Sequence, residues 1–134
     1  MRLTSFAIPT SLSATSAYVR THSVYGLAKA ALLHLTESLA LELAPSVTVN
    51  AIVPGQIASD RTDTMPIYKA SVIADTPLQR LATESEVARL AALFCTPDFD
   101  FVTGRAIVLD GGRSLPRISR IGPELDALRA AGEG

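Results

Sequence analysis

The sequence predicts an α/β fold on a parallel sheet, and three observations carry that expectation. Residues 24–44 show apolar side chains at helical period over five turns or more. Residues 47–53 form a β-branched, largely apolar run closed by Pro54-Gly55, the pattern of a buried strand. Residues 105–109 repeat that pattern before Asp110-Gly111-Gly112, with a helix signature between the two runs. Buried strands joined by helices pair in parallel through right-handed crossovers.

The elements follow in order. Met1 to Ser5 reads as the tail of a strand, and residues 6–23 as a loop rich in Ser, Thr and Ala. In the long helix Ala28, Leu32, Leu35, Leu39 and Leu43 share one stripe, and Pro45 stops it. Leu27, Ala31 and Leu41 lie off that stripe, while only Lys29, Glu37 and Glu42 are charged. A helix this apolar on several sides is buried on several sides. One face covers a sheet; the other meets a second subunit or the rest of a larger monomer. Residues 56–76 carry turn formers and acids, among them Asp60, Asp63, Pro66 and Asp75, and read as a mobile excursion with a short helix. Thr83 and Glu86 form a capping box that opens a helix to about Cys95, with Val87, Leu90, Ala91 and Phe94 as its apolar set. A last short helix is expected from Pro123 to Ala131. The expected division is a unit over residues 1–115 and an extension over 116–134. Two and a half strands make a thin parallel sheet, so the chain reads as though it starts part-way through one.

Composition bounds the function classes. The 134 residues fit one domain or part of one, and 48% hydrophobic with 19% charged residues is globular, not disordered. A net charge of −1 lacks the basic excess of a nucleic-acid binder. No apolar run approaches the ~20 residues of a membrane span. The first acid is Glu37, but Pro9, Ser11 and Ser13 break the apolar stretch that a targeting peptide would need. The single cysteine, Cys95, allows no intrachain disulfide, so a cytoplasmic protein is the simplest expectation. Cys95 is expected as a buried, inert thiol, His34 as a partly buried packing residue and His22 as a solvated loop residue.

Tyr25 and Lys29 lie four residues apart at the start of the long helix and so share a face. A free phenol has a pKa of about 10, too high for acid/base work near neutrality. An ammonium about 4 Å away, at an effective dielectric near 20, favours the phenolate by about 4 kcal/mol. That is enough to bring such a phenol near pH 7, where a general acid/base works best. The pair alone is common by chance, and a surface tyrosine beside a solvated lysine is the plainer reading of it.

The surroundings reverse that balance. Val24-Tyr-Gly-Leu-Ala-Lys-Ala-Ala-Leu32 resembles the active-site helix of short-chain dehydrogenases/reductases. At the matching distance, Val49-Asn-Ala-Ile-Val-Pro-Gly55 is similar to that family's strand and Pro-Gly signature. Pro77-Leu-Gln-Arg80 with Glu86-Val-Ala88 resembles the segment before its last helix, and Phe101 to Gly112 its final strand. The resemblance spans residues 1 to about 115. It implies part of a Rossmann-like, doubly wound parallel sheet, and hydride transfer between NAD or NADP and a carbonyl or alcohol. Tyr25 would then be the proton donor or acceptor at the substrate oxygen. Lys29 would assist it and bind the nicotinamide ribose. Pro54, Gly55 and Ile57 would lie against the nicotinamide, with the Ile57 main chain at its carboxamide. Ser59 stands where the family usually has a cofactor-binding threonine. A homo-oligomer formed through the 24–44 helix is also implied.

The family's substrate-orienting serine usually precedes the tyrosine at a spacing that here falls on Leu12, which has no hydroxyl. Ser11 and Ser13 flank that position. Ser5 is the preferred candidate, because Met-Arg-Leu-Thr-Ser looks like the strand end itself, and a longer loop after it costs little entropy.

The glycine-rich turn that seats a pyrophosphate on a helix N-terminus is not among these residues, and neither is the selector between NAD and NADP. Two expectations of different class follow. In one, the parent protein is an active oxidoreductase of which this chain is the C-terminal half. In the other, the chain is a truncated, non-catalytic remnant that at most dimerises.

Overall fold

The computed structural model describes residues 4–11, 13, 23–116 and 131. Three strands form one parallel sheet: β1 (Thr4–Pro9), β2 (Val47–Pro54) and β3 (Ala106–Leu109), in the spatial order β1-β2-β3. Helix α1 (Ser23–Leu43) crosses from β1 to β2. Helices α2 (Asp60–Asp63), α3 (Pro66–Ala74) and α4 (Glu84–Leu93), with a 3₁₀ turn at Pro97–Phe99, lie between β2 and β3. The α/β class and the parallel sheet expected from the alternation of strands and helices are both present.

β2 is the central strand and the most buried element, with Thr48 through Val53 all buried, because it has a strand on each edge and is packed on by both α1 and α4. Its register places Pro9 beside Ile52 and Pro54 beside Leu109. The strand ends therefore gather on one side of the sheet. Two polar side chains tie β2 to the approach of β3. Asn50 donates Nδ2 to the Val102 carbonyl at 2.8 Å and accepts from the Arg105 N–H at 3.1 Å. The Thr103 hydroxyl accepts from the Val49 N–H at 3.0 Å. Around them Ala40, Val49, Ile52, Val72, Leu81 and Phe94 form the core, and the Phe94 ring meets that of Phe99 at 5.4 Å.

Several expectations need correction. The first strand does not end at Ser5; it runs on to Pro9, because Phe6, Ala7 and Ile8 continue the pairing against Val49, Asn50 and Ala51. A terminal proline is tolerated because only its missing N–H must go unpaired, and β1 is an edge strand. Residues 56–76 hold two helices. Ser59 caps α2 in a reciprocal box with Thr62, and Pro66 starts α3 at a position where its missing N–H costs nothing. The capping box of Thr83 and Glu86 is present, but α4 stops at Leu93, and Cys95 in the following turn is exposed. His34 is exposed as well. On α1, Val24, Leu27 and Leu41 are 80%, 72% and 83% exposed, and Ala28, Leu35 and Leu43 of the expected stripe are exposed too, so apolar surface faces outward both off the stripe and on it. Leu12, His22 and the body of the expected 123–131 helix fall outside the described residues. No helix among the described residues is long and apolar enough to cross a membrane.

Candidate active site

Ligands of open parallel sheets bind beyond the carboxyl ends of the strands. Here that rim consists of Thr10 after β1, the Pro54-Gly55 corner after β2 and Asp110 after β3. The first turns of α1 stand beside it. Lys29 Nζ lies 5.6 Å from the centre of the Tyr25 ring, so the two side chains share one face of the helix as their spacing requires. Buried Thr10 fastens this part of the helix to β1: its hydroxyl donates to the Lys29 carbonyl oxygen at 3.0 Å, and its N–H donates to the Ile52 carbonyl at 2.9 Å.

Gly26 follows Tyr25 and lets the chain after β1 come close. A Cβ at Gly26 would sit 3.0 Å from the Ser13 carbonyl oxygen. Ser11 and Ser13 line one cavity together with Tyr25, of about 590 Å³. Ser11 Oγ also accepts from the Ser13 N–H at 3.3 Å, which folds the segment back on itself. Ser5 lies elsewhere. It pairs with Thr48, and the two hydroxyls meet at 2.9 Å. Four residues separate it from Pro9, roughly 13 Å along the strand at ~3.3 Å per residue. The structure therefore brings Ser11 and Ser13 to Tyr25 and leaves Ser5 toward the other end of the sheet.

The Pro54-Gly55 corner is held from β3. The Gly55 N–H donates to the Leu109 carbonyl at 2.9 Å, and a Cβ at Gly55 would stand 2.9 Å from Asp110 Cβ and 3.0 Å from its Cα. Only glycine fits this approach. Ile57 then forms a parallel bridge with Ala82, made by the Ala58 N–H to the Ala82 carbonyl at 2.8 Å and the Ala82 N–H to the Gln56 carbonyl at 3.2 Å. Because the flanking residues make that bridge, the N–H and C=O of Ile57 itself face away from Ala82. Ser59 is engaged as a helix cap: its N–H donates to Thr62 Oγ1 at 2.9 Å and its Oγ accepts from the Thr62 N–H at 3.4 Å. The hydroxyl proton of Ser59 is left to give elsewhere.

Asp110 closes the β3 end. Its carboxylate accepts from the Gly112 N–H at 2.8 Å and the Ser114 N–H at 2.7 Å. Partial burial opposes its ionisation, but the bonds from Ser114 and Gly112 outweigh burial and hold the carboxyl below its usual range. A second cavity, of about 690 Å³, opens beside it and is lined by Arg80, Glu86, Arg89 and Gly111. Arg80 grips Glu86 through two nitrogens, at 2.6 and 2.9 Å. That bond, then the one from the Thr83 N–H, lowers the Glu86 carboxyl to about 2.

Gln56, Arg61 and Tyr68, which also line the Tyr25 cavity, were not expected from the sequence. They lie between turn formers and reach the cavity only through the packing of α2 and α3. Thr10 was missed because its partners, the Lys29 and Ile52 carbonyls, are distant in sequence. Among the described residues, no group of three or more His, Cys, Asp or Glu is placed to hold a metal ion.

A family model described as enoyl-(acyl carrier protein) reductase matches residues 2–114. A short-chain dehydrogenase/reductase structure from Brucella melitensis, named glucose/ribitol dehydrogenase, superimposes with a TM-score of 0.77 at 33% identity, over 84% of this chain and 46% of that one. The chain belongs to the short-chain dehydrogenase/reductase family. The aldohexose dehydrogenase of Thermoplasma acidophilum aligns with a TM-score of 0.79 at 29% identity, over 88% of this chain and 51% of that one. Among curated family members, an uncharacterised oxidoreductase of Mycobacterium tuberculosis is 37% identical over 109 residues, covering 79% of this chain and 41% of its own length. The oxidoreductase UcpA of Escherichia coli K12 is 36% identical over 110 residues, covering 75% of this chain and 42% of its own length. The chain thus spans about two fifths of the curated family members it matches and about half of the solved ones.

Proposed function

We propose that this chain carries the acid/base and nicotinamide-facing half of an NAD- or NADP-dependent oxidoreductase acting on a carbonyl or alcohol. The observation that carries the reading is Tyr25 and Lys29 sharing a helix face, with Tyr25 on the wall of a cavity that Ser11 and Ser13 also line. The nicotinamide, when bound, supplies or accepts the hydride. Tyr25 Oη passes its proton to the substrate oxygen during reduction, and solvent restores it; oxidation runs the same path backward. Lys29, on the same helix face as Tyr25, holds the cofactor ribose hydroxyls.

The residues after β2 suit the nicotinamide end of such a cofactor. Pro54 and Gly55 offer a flat corner, Ile57 presents a main-chain N–H and C=O turned away from Ala82, and Ser59 keeps a hydroxyl proton to donate. Ser11 or Ser13, in place of Ser5, orients the substrate oxygen. Separate alanine substitutions distinguish the two.

The test joins residues 1–134 to the preceding half of Escherichia coli UcpA and follows NAD(P)H consumption with a panel of aldehydes and ketones. The chimera is expected to turn over, and Tyr25→Phe to lower its kcat by roughly 10²- to 10⁴-fold. A chimera that binds NAD(P)H yet reduces nothing, or one indifferent to Tyr25→Phe, overturns the reading. The isolated chain is expected to show no useful turnover, because its residues include no glycine-rich turn to seat a pyrophosphate.

The second reading, a non-catalytic dimerisation module, draws on the outward Val24, Leu27 and Leu41 of α1. Both readings expect a homo-oligomer through this helix. Light scattering on the chain and on Leu27→Glu tests that shared expectation.

A further inference from the structure

Resting on the oxidoreductase reading, we propose that the substrate is a carbonyl compound bearing a carboxylate, held by Arg61 and Gln56 in the cavity that Tyr25 lines. Among the described residues of that lining, Arg61 alone carries a charge. The acids beside it in α2 do not neutralise it there. Asp63 is bonded to Lys69 Nζ at 2.6 Å, and Asp60 lies outside the lining. Arg61 takes part in neither of the ion pairs found among the described residues.

Around Arg61 the polar side chains add donor capacity. Tyr68 Oη donates to Gln56 Oε1 at 3.0 Å, which engages the carbonyl oxygen of that carboxamide and leaves its two N–H groups to give. Thr62 spends its hydroxyl proton on the Ser59 carbonyl at 2.7 Å and is buried, which anchors the short helix that carries Arg61. A guanidinium cannot accept a hydrogen bond at all. A donor-rich wall with one positive charge suits an anionic acceptor, and a guanidinium pairs with a carboxylate through two parallel bonds.

The charge count favours a carboxylate over a phosphate monoester. Among the described lining residues one guanidinium balances a monoanion, and its planar fork matches the two oxygens of a planar carboxylate better than a tetrahedral phosphate. Met65 and Tyr68, 45% and 43% exposed, add apolar surface for the body of the molecule. The cavity falls within the ~300–1,000 Å³ of small-molecule sites. An oxo acid would thus place its ketone oxygen at Tyr25 and its carboxylate at Arg61, and reduction would yield the corresponding hydroxy acid.

The test titrates residues 1–134 with benzoylformate, its methyl ester and dihydroxyacetone phosphate, followed by NMR at the Arg61 Nε–H and the backbone. Benzoylformate is expected to bind at least about tenfold more tightly than the ester, the scale of a hydrogen bond to a charged group. Arg61→Gln brings the acid-to-ester ratio close to one, and Arg61→Lys restores part of it. Equal binding of acid and ester overturns the proposal. So does a ratio unchanged in Arg61→Gln, tighter binding of dihydroxyacetone phosphate, or no benzoylformate binding up to millimolar concentrations. None of these outcomes depends on turnover, so the Tyr25→Phe comparison in the UcpA chimera judges the hydride-transfer reading separately.

Discussion

The hydroxyl of Thr10 donates to the carbonyl oxygen of Lys29 at 3.0 Å, joining the end of β1 to the helix turn that carries the Tyr25–Lys29 pair. Thr10 is buried, so Thr10→Val keeps the shape but removes the hydroxyl bond that adds to the helical bond on the Lys29 carbonyl. The expected cost is about 1–2 kcal/mol of stability, read as a lower urea midpoint with an unchanged slope.

Gly26 sets helix propensity against access. Alanine in a helix is favoured over glycine by about 1 kcal/mol, but its Cβ would press on the Ser13 carbonyl oxygen at 3.0 Å. Gly26→Ala is therefore expected to change global stability by less than about 1 kcal/mol while shifting the Ser13 amide resonance. In the UcpA chimera the displaced serines should lower kcat by about tenfold.

Gly55→Ala has no such compensation. The new methyl would meet Asp110 Cβ and Cα at 2.9 and 3.0 Å, and the Gly55 N–H bond to Leu109 keeps the two strand ends from parting. Destabilisation of about 1–3 kcal/mol is expected in urea unfolding. The chimera carrying the substitution should also bind NAD(P)H more weakly.

Acid sensitivity follows from two carboxyls. Glu86 is lowered from 4.5 to about 2, first by its bond with Arg80, and Asp110 is lowered by the Ser114 and Gly112 bonds that outweigh its burial. A carboxyl that is more acidic when folded contributes stability above its unfolded pKa and loses it as pH falls through the folded one. The urea midpoint should therefore fall between about pH 4.5 and 2, and Glu86→Gln should flatten part of that fall. The Arg80–Glu86 pair lies at the surface, with Glu86 half-buried and Arg80 exposed, so added salt should shrink its share.

Elements governed by local pattern were legible in the sequence. The helical stripe located α1, the β-branched run before Pro54-Gly55 located β2, and Thr83 with Glu86 marked the start of α4. The Tyr25–Lys29 pairing was readable because four residues on a helix fix a shared face whatever surrounds it. Misreadings arose where partners distant in sequence decide. Ser5 looked like a strand end, yet pairing against β2 carries β1 on to Pro9. Cys95 followed the apolar phase of α4 only on paper, since the helix ends two residues earlier. Gln56, Arg61 and Tyr68 had no readable signal, because their neighbourhood is created by two short helices folding back over the β2 end.

The position of β1 has a practical consequence. It is an edge strand, and among the described residues nothing pairs with its outer side, where Phe6 is 55% exposed. Such a row of unspent amides and carbonyls is a template for any extended peptide, and only Pro9 blunts it. Whenever this margin is left bare, stray molecules will add to it in proportion to concentration. Purification should then call for dilute samples, or for a lysine at Phe6 to discourage stacking.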